Sequence, residues 1–163
     1  VIRRADIATI DGTNFSRWYR QDEGTFSMTH SALGIDAVAN SYNGLKVQTA
    51  DLTASMEIRC GATGSGLLYD VKGLTNTGTT QFDFTGYSTI LVNTPVMQAF
   101  GYKTNDCAYS VNGEVAETDT VATIPTTIAQ MVIGGPGAQY IQRIAYYSRR
   151  LTDLEIRSLT SSL

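Results

Sequence analysis

Histidine, cysteine, proline and clustered basic residues are scarce in this 163-residue chain, and each scarcity removes a class of function. His30 is the only histidine, which excludes a multi-histidine zinc site and makes any Ser-His-Asp triad depend on that one residue. Two cysteines, Cys60 and Cys107, are too few for a disulfide scaffold or a cysteine-based metal cluster. Each sits in an alternating apolar pattern that reads as a buried thiol, with a disulfide between two strands as the alternative. Basic residues adjoin only at Arg3-Arg4 and Arg149-Arg150, and the net charge is -3, so no electrostatic footprint for nucleic acid exists. No apolar run approaches the roughly 20 residues that span a bilayer, and no charged and apolar leader opens the chain, so no membrane insertion is expected. Val1 stands where a methionine would begin a gene product, which suggests a piece of a longer polypeptide or a processed product.

Against these absences stand a 42% hydrophobic content and 15 glycines, a size and composition that suit one domain over 1–163 with a substantial core. Short runs alternate apolar with polar until Gly, Asn or Asp interrupts them, the pattern of many strands joined by turns. In Ser55-Met56-Glu57-Ile58-Arg59-Cys60, residues Met56, Ile58 and Cys60 share one face and Glu57 and Arg59 the other. Further strands are predicted at Gly24 to His30, Leu45 to Thr49, Leu67 to Lys72, Thr89 to Val92, Val96 to Tyr102, Gln130 to Ile133 and Tyr140 to Tyr147. Asn112-Gly113 between Cys107 to Val111 and Glu114 to Ala116 predicts a tight type I′ hairpin, because both central residues need positive φ. Gly61 to Gly66, Thr75 to Thr80 and Gly134 to Gly137 read as loops. The only predicted helix is C-terminal: Thr152 and Glu155 form a capping box, Leu151 and Ile156 a hydrophobic staple, with an end near Leu159 and packing on the sandwich edge.

Tyr102 to Gly113, Ile124-Pro125, Ile133-Gly134-Gly135 and Arg143 to Thr152 resemble the C-terminal part of laminin G-like, concanavalin A-like domains in bacteriophage tail-fibre and virion proteins. Asp11 to Tyr19 and Gly24-Thr25-Phe26 resemble the opening of the same family, so the likeness lies at both ends of the chain. The resemblance implies an all-β, two-sheet antiparallel jelly-roll sandwich with one short C-terminal helix. It also implies a non-catalytic module on the phage particle surface that recognises host surface carbohydrate or another virion protein, with a homotrimer as one assembly. A structural decoration or assembly domain that touches no glycan is the alternative. Calcium (Ca2+) in a rim loop is a cofactor that the resemblance allows, although no calcium motif matches residue by residue.

Glucanases on such a jelly roll need two carboxylates on one strand face, as in Glu-x-Asp-x-x-Glu, and that motif is missing. Glu114 and Glu117 fall on opposite faces of a strand and read as solvated hairpin charges. Ser65 between Gly64 and Gly66 lacks the spacing of a nucleophile elbow. Candidate carbohydrate contacts are Tyr42, Tyr69 and Tyr87, next to Asn43, Asp70 and Gly86, together with Trp18, whose neighbours Arg17 and Arg20 could bond hydroxyls; core packing is the alternative for each. Asn105 and Asp106 are the candidate metal ligands, with an Asx turn as the alternative, and Asp36, Asn40 and Asn43 form a second acidic and amide-rich loop.

Overall fold

The structure is a computed structural model that describes residues 7–33, 42–63, 66–74, 79–135 except 91–92, and 139–161; for 42–43, 60–63, 66–74 and 85–90 it describes the backbone alone. One antiparallel sheet has six strands in the order β1(Ala8–Asp11), β10(Ile128–Ile133), β3(Tyr42–Thr49), β4(Ser55–Thr63), β5(Gly66–Leu74) and β6(Thr80–Ile90). The other has five, in the order β11(Gln139–Tyr147), β2(Glu23–Ala32), β7(Val96–Lys103), β8(Cys107–Val111) and β9(Glu117–Asp119). Strands distant in sequence are neighbours in both sheets, as a jelly-roll sandwich requires. Among the described residues no helix is long and apolar enough to cross a membrane.

The core follows the strand period. Phe26 and Met28 of β2, Leu45 and Val47 of β3, and Met56 and Ile58 of β4 are all at most 2% exposed and meet between the sheets. Each such side chain contributes about 1.5–3 kcal/mol on leaving water. Strands β7 and β8 are buried on both faces: Val96, Phe100, Tyr102, Cys107, Tyr109 and Val111 face the sandwich, while Ala99 and Ala108 face a C-terminal helix, α2(Asp153–Thr160).

That helix lies on the outer face of β7 and β8 rather than on the sandwich edge. Gly101 is the reason. A Cβ there would come within 2.7 Å of both Arg150 Cδ and Ile156 Cδ1, so only glycine leaves the sheet flat enough for the helix to dock. The capping box forms as the sequence predicts, with the Thr152 hydroxyl accepting from the Glu155 N–H and the Glu155 carboxylate accepting from the Thr152 N–H at 2.8 Å. Both staple residues, Leu151 and Ile156, are buried. Arg149 and the cap hold the Glu155 carboxyl down at about 2.

Three local expectations are revised. The Asn112-Gly113 turn forms with φ of 47° and 79° and a bond from the Glu114 N–H to the Val111 carbonyl, but pairing with β8 resumes only at Glu117, because the Ser110 hydroxyl takes the Glu114 carbonyl instead. Strand β6 begins at Thr80, within the expected loop and well before Thr89, since Phe82 and Phe84 alternate inward around exposed Asp83. The expected loop at Gly61 to Gly66 carries strand at both ends, with 64–65 outside the described residues. A first strand β1 and a one-turn helix α1(Gly12–Ser16) add to the expected elements.

Candidate functional site

The rim groove is assembled where β1 ends, β10 begins and β3 turns towards β4. Two adjoining hollows share Gly12 and Ala129 as a common wall. The larger, about 540 Å³, is floored by Phe15, Tyr19 and Ile128 and edged by Thr13, Ser16 and Gln21. The smaller, about 400 Å³, is bounded by Asp11, Ala50 and Gln130. Both volumes fall in the range of small-molecule sites.

Several irregularities of the backbone shape this groove. Ile128 pairs with Thr49 and Gln130 with Gln48, so Ala129 is an extra residue, a β-bulge that bends β10 at the common wall. Gly12 adopts a φ of +54° with open space around the position its Cβ would take, so the backbone conformation, rather than crowding, requires glycine. Gln21 ties the opposite lip down: its side-chain N–H donates to the Pro125 carbonyl at 2.6 Å and its Oε1 accepts from the Ile128 N–H at 2.9 Å. Between these two bonds Thr127 is held at φ 61°, a conformation that costs a β-branched residue about 1–2 kcal/mol. On the β3–β4 turn the Asp51 carboxylate accepts from the Thr49 and Thr53 hydroxyls, which hold its pKa below the usual range, and Leu52 takes φ 62°. Asp11 occupies the N-cap position of α1, yet its side chain makes no capping bond. Its exposed carboxylate is therefore left to the groove.

Of the residues singled out from sequence, Trp18 borders this groove through its contacts with Phe15 and Tyr19. It is half-buried, meets Phe15 and Tyr146 edge-on at 5.0 Å, and its indole N–H donates to the Asn14 carbonyl at 2.7 Å. Tyr42, Tyr69 and Tyr87 fall in β3, β5 and β6, where the register Tyr42 to Cys60 to Tyr69 to Tyr87 sets them in one cross-strand row; their side chains lie outside the described residues. Asn105, at φ 59°, sits in the β7–β8 turn, where the Asp106 N–H donates to the Lys103 carbonyl. The Asp106 carboxylate accepts from Arg150 at 2.8 Å, and that guanidinium also binds Asp153 at 2.7 Å. Among the described residues no group of three or more His, Cys, Asp or Glu could hold a metal ion. Asp36, Asn40 and Ser65, and the side chains of Asn43 and Cys60, lie outside the described residues.

His30 sits within β2 rather than at its end and is fully buried. Its Nδ1 is 3.0 Å from the Gln139 Oε1, an acceptor, so Nδ1 carries the proton and Nε2 accepts from the Gln98 amide at 2.7 Å. Tyr109 donates to the Gln98 Oε1 at 2.5 Å. Burial depresses the His30 pKa to about 4, so the ring is neutral at pH 7 and serves as core polar packing. Cys107 is a free thiol, 0% exposed, which burial pushes up to about 12. A further hollow of about 430 Å³ beside α2 is lined by Tyr147, Leu151, Leu154 and Leu159, and its charged groups, Arg149 and Glu155, are spent on each other at 2.7 Å.

No protein family and no curated protein matches the sequence. Solved structures match in fold. The sandwich is the fold of carbohydrate-binding modules and pentraxins. The CBM40 of the Ruminococcus gnavus IT-sialidase, bound to α2,3-sialyllactose, is similar with a TM-score of 0.64 and 15% identity, over 87% of this chain and 84% of that one. A heptameric SAP-like pentraxin from Limulus polyphemus is similar with a TM-score of 0.64 and 11% identity, over 98% and 82%. The carbohydrate-binding module CBM66 from Bacillus subtilis follows at 0.58 and 8%, over 91% and 84%. The groove residues Asp11, Gln21, Ala129 and Gln130 were not found from sequence. The one local signal was Gly12 directly after Asp11, a turn pair whose partners Ala129 and Gln130 lie more than a hundred residues away.

Proposed function

We propose that this chain is a non-catalytic glycan-binding module whose ligand occupies the rim groove. The observation that carries the reading is the groove itself: an apolar floor at Tyr19 and Ile128, ringed by Thr13, Ser16, Gln21, Gln130 and Asp11, on a fold shared with carbohydrate-binding modules. A pyranose has an apolar C–H face and a rim of hydroxyls, and this surface offers the complement of both. Catalysis of glycoside cleavage calls for two facing carboxylates, whereas Asp11 is the single carboxylate among the described groove residues. The resemblance of both ends of the chain to tail-fibre domains supports a place on a phage virion appendage, with the chain as one domain of a longer polypeptide.

The test is an oligosaccharide array probed with the purified chain, in calcium and in chelator, together with light scattering. Reproducible saccharide binding without release of new reducing ends is the expected result. A silent array with a stable oligomer would replace this reading with a virion assembly role. Loss of binding in chelator would assign a calcium ion to a rim loop.

A further inference from the structure

We infer that the rim groove selects neutral saccharides and rejects acidic ones, with the Asp11 carboxylate as the acceptor for sugar hydroxyls; this rests on the glycan-binding reading above. Among the described residues that line it, the groove has no lysine, arginine or histidine, and Asp11 is the one charged side chain. Asp51, which follows the lining residue Ala50, adds charge of the same sign. Arg20, the basic residue that follows Tyr19, is committed to Asp22 by two bonds of 3.0 and 2.5 Å. A sialic acid, uronic acid or sulfate ester would therefore bring a second negative charge towards that carboxylate, and Arg17, exposed after Ser16, is not among the described residues that line the groove.

Asp11 is suited to a different partner. Its carboxylate is exposed and has no hydrogen bond or ion pair among the described residues, although it stands at a helix cap where aspartate usually bonds the backbone. An unspent carboxylate accepts from two adjacent hydroxyls at once, and such charge-assisted bonds are about twice as strong as neutral ones. Gln130 pairs with Asp11 in the β1–β10 register, so its carboxamide stands beside the carboxylate as both donor and acceptor. The Gln21 amide is already consumed by the Pro125 and Ile128 backbone, so it shapes the lip and leaves recognition to Asp11, Gln130 and the hydroxyls of Thr13 and Ser16.

The experiment uses an array of neutral, sialylated and sulfated oligosaccharides on the whole chain, followed by titration of the best neutral binder and its sialylated counterpart with backbone amide shifts recorded. Binding of the neutral sugar, shifts at Gly12, Ala50, Ala129 and Gln130, and a loss of about tenfold in Asp11→Asn are expected. Thr13→Lys, an exposed position, should raise affinity for the sialylated form relative to the neutral one. Because the Asp11 carboxylate makes no hydrogen bond or ion pair among the described residues, Asp11→Asn should melt as the parent does, and its binding loss reads recognition rather than folding. Preference for acidic sugars, shifts confined to other surfaces, or an unaffected Asp11→Asn would overturn the inference while leaving a glycan-binding module. Silence towards every saccharide would overturn both.

Discussion

Lowering the pH should weaken this fold through His30 before most of its other groups respond. In the folded chain the ring is fully buried, bonded to Gln98 and Gln139, and its pKa is depressed from 6.5 to about 4. In the unfolded chain the imidazole takes up a proton near pH 6.5, whereas in the folded chain it does not until about pH 4. Stability from the neutral buried ring is thus complete above pH 6.5, declines as the pH falls between the two values, and is lost below about 4. A displacement of this size corresponds to about 3 kcal/mol at the acid end, most of it already gone at pH 4.5. Carboxylates also titrate in acid, so the assay compares denaturant unfolding of the parent with His30→Gln from pH 7.5 to 4. His30→Gln lowers stability at pH 7.5 but removes the titrating group, so its curve should be flatter than the parent's between pH 6.5 and 4.5. Parallel curves would refute the claim that the buried neutral ring links stability to pH.

Further outcomes follow from the packing of the five-stranded sheet. Gly101→Val places carbon where Arg150 and Ile156 already stand, and should cost about 1–3 kcal/mol in denaturant unfolding; an unchanged midpoint would mean that α2 docks otherwise. Thr152→Ala removes the acceptor for the Glu155 N–H and should lower stability by about 1 kcal/mol, read as a shift of the thermal midpoint. Native protein treated briefly with iodoacetamide should carry no label at Cys107 by mass spectrometry, because the thiol is buried and its pKa pushed up to about 12; rapid labelling would contradict its place in the core.

Much of the β-structure was legible because strand signals are local. Phe26, Met28 and His30 on one face of β2, and Met56 and Ile58 on one face of β4, repeat with the two-residue period that a pleated strand imposes. The Asn112-Gly113 turn and the Thr152/Glu155 cap likewise need only neighbours in sequence. Strand β6 was harder to see: its first residues read as a polar, threonine-rich loop, and only Phe82 and Phe84 mark the inward face. Strands β7 and β8 showed apolar residues on both faces without revealing why, since the cover on the second face is a helix some fifty residues further on.

The sequence by itself determined where the chain extends, where it turns and where its last helix starts, because those choices are decided by side chains within a few residues of one another. Only the tertiary structure decided which polar groups are spent and which are free. Gln98 and His30 disappear into a buried network, Arg150 is consumed between Asp106 and Asp153, and Gln21 is tied to a loop more than a hundred residues distant. Asp11 keeps an unengaged carboxylate, among the described residues, beside Ala50, Ala129 and Gln130, and that juxtaposition exists because β10 crosses over to pair with both β1 and β3. A groove built by such long-range pairing leaves no periodicity in the sequence, since none of its walls is adjacent until the sheet has formed.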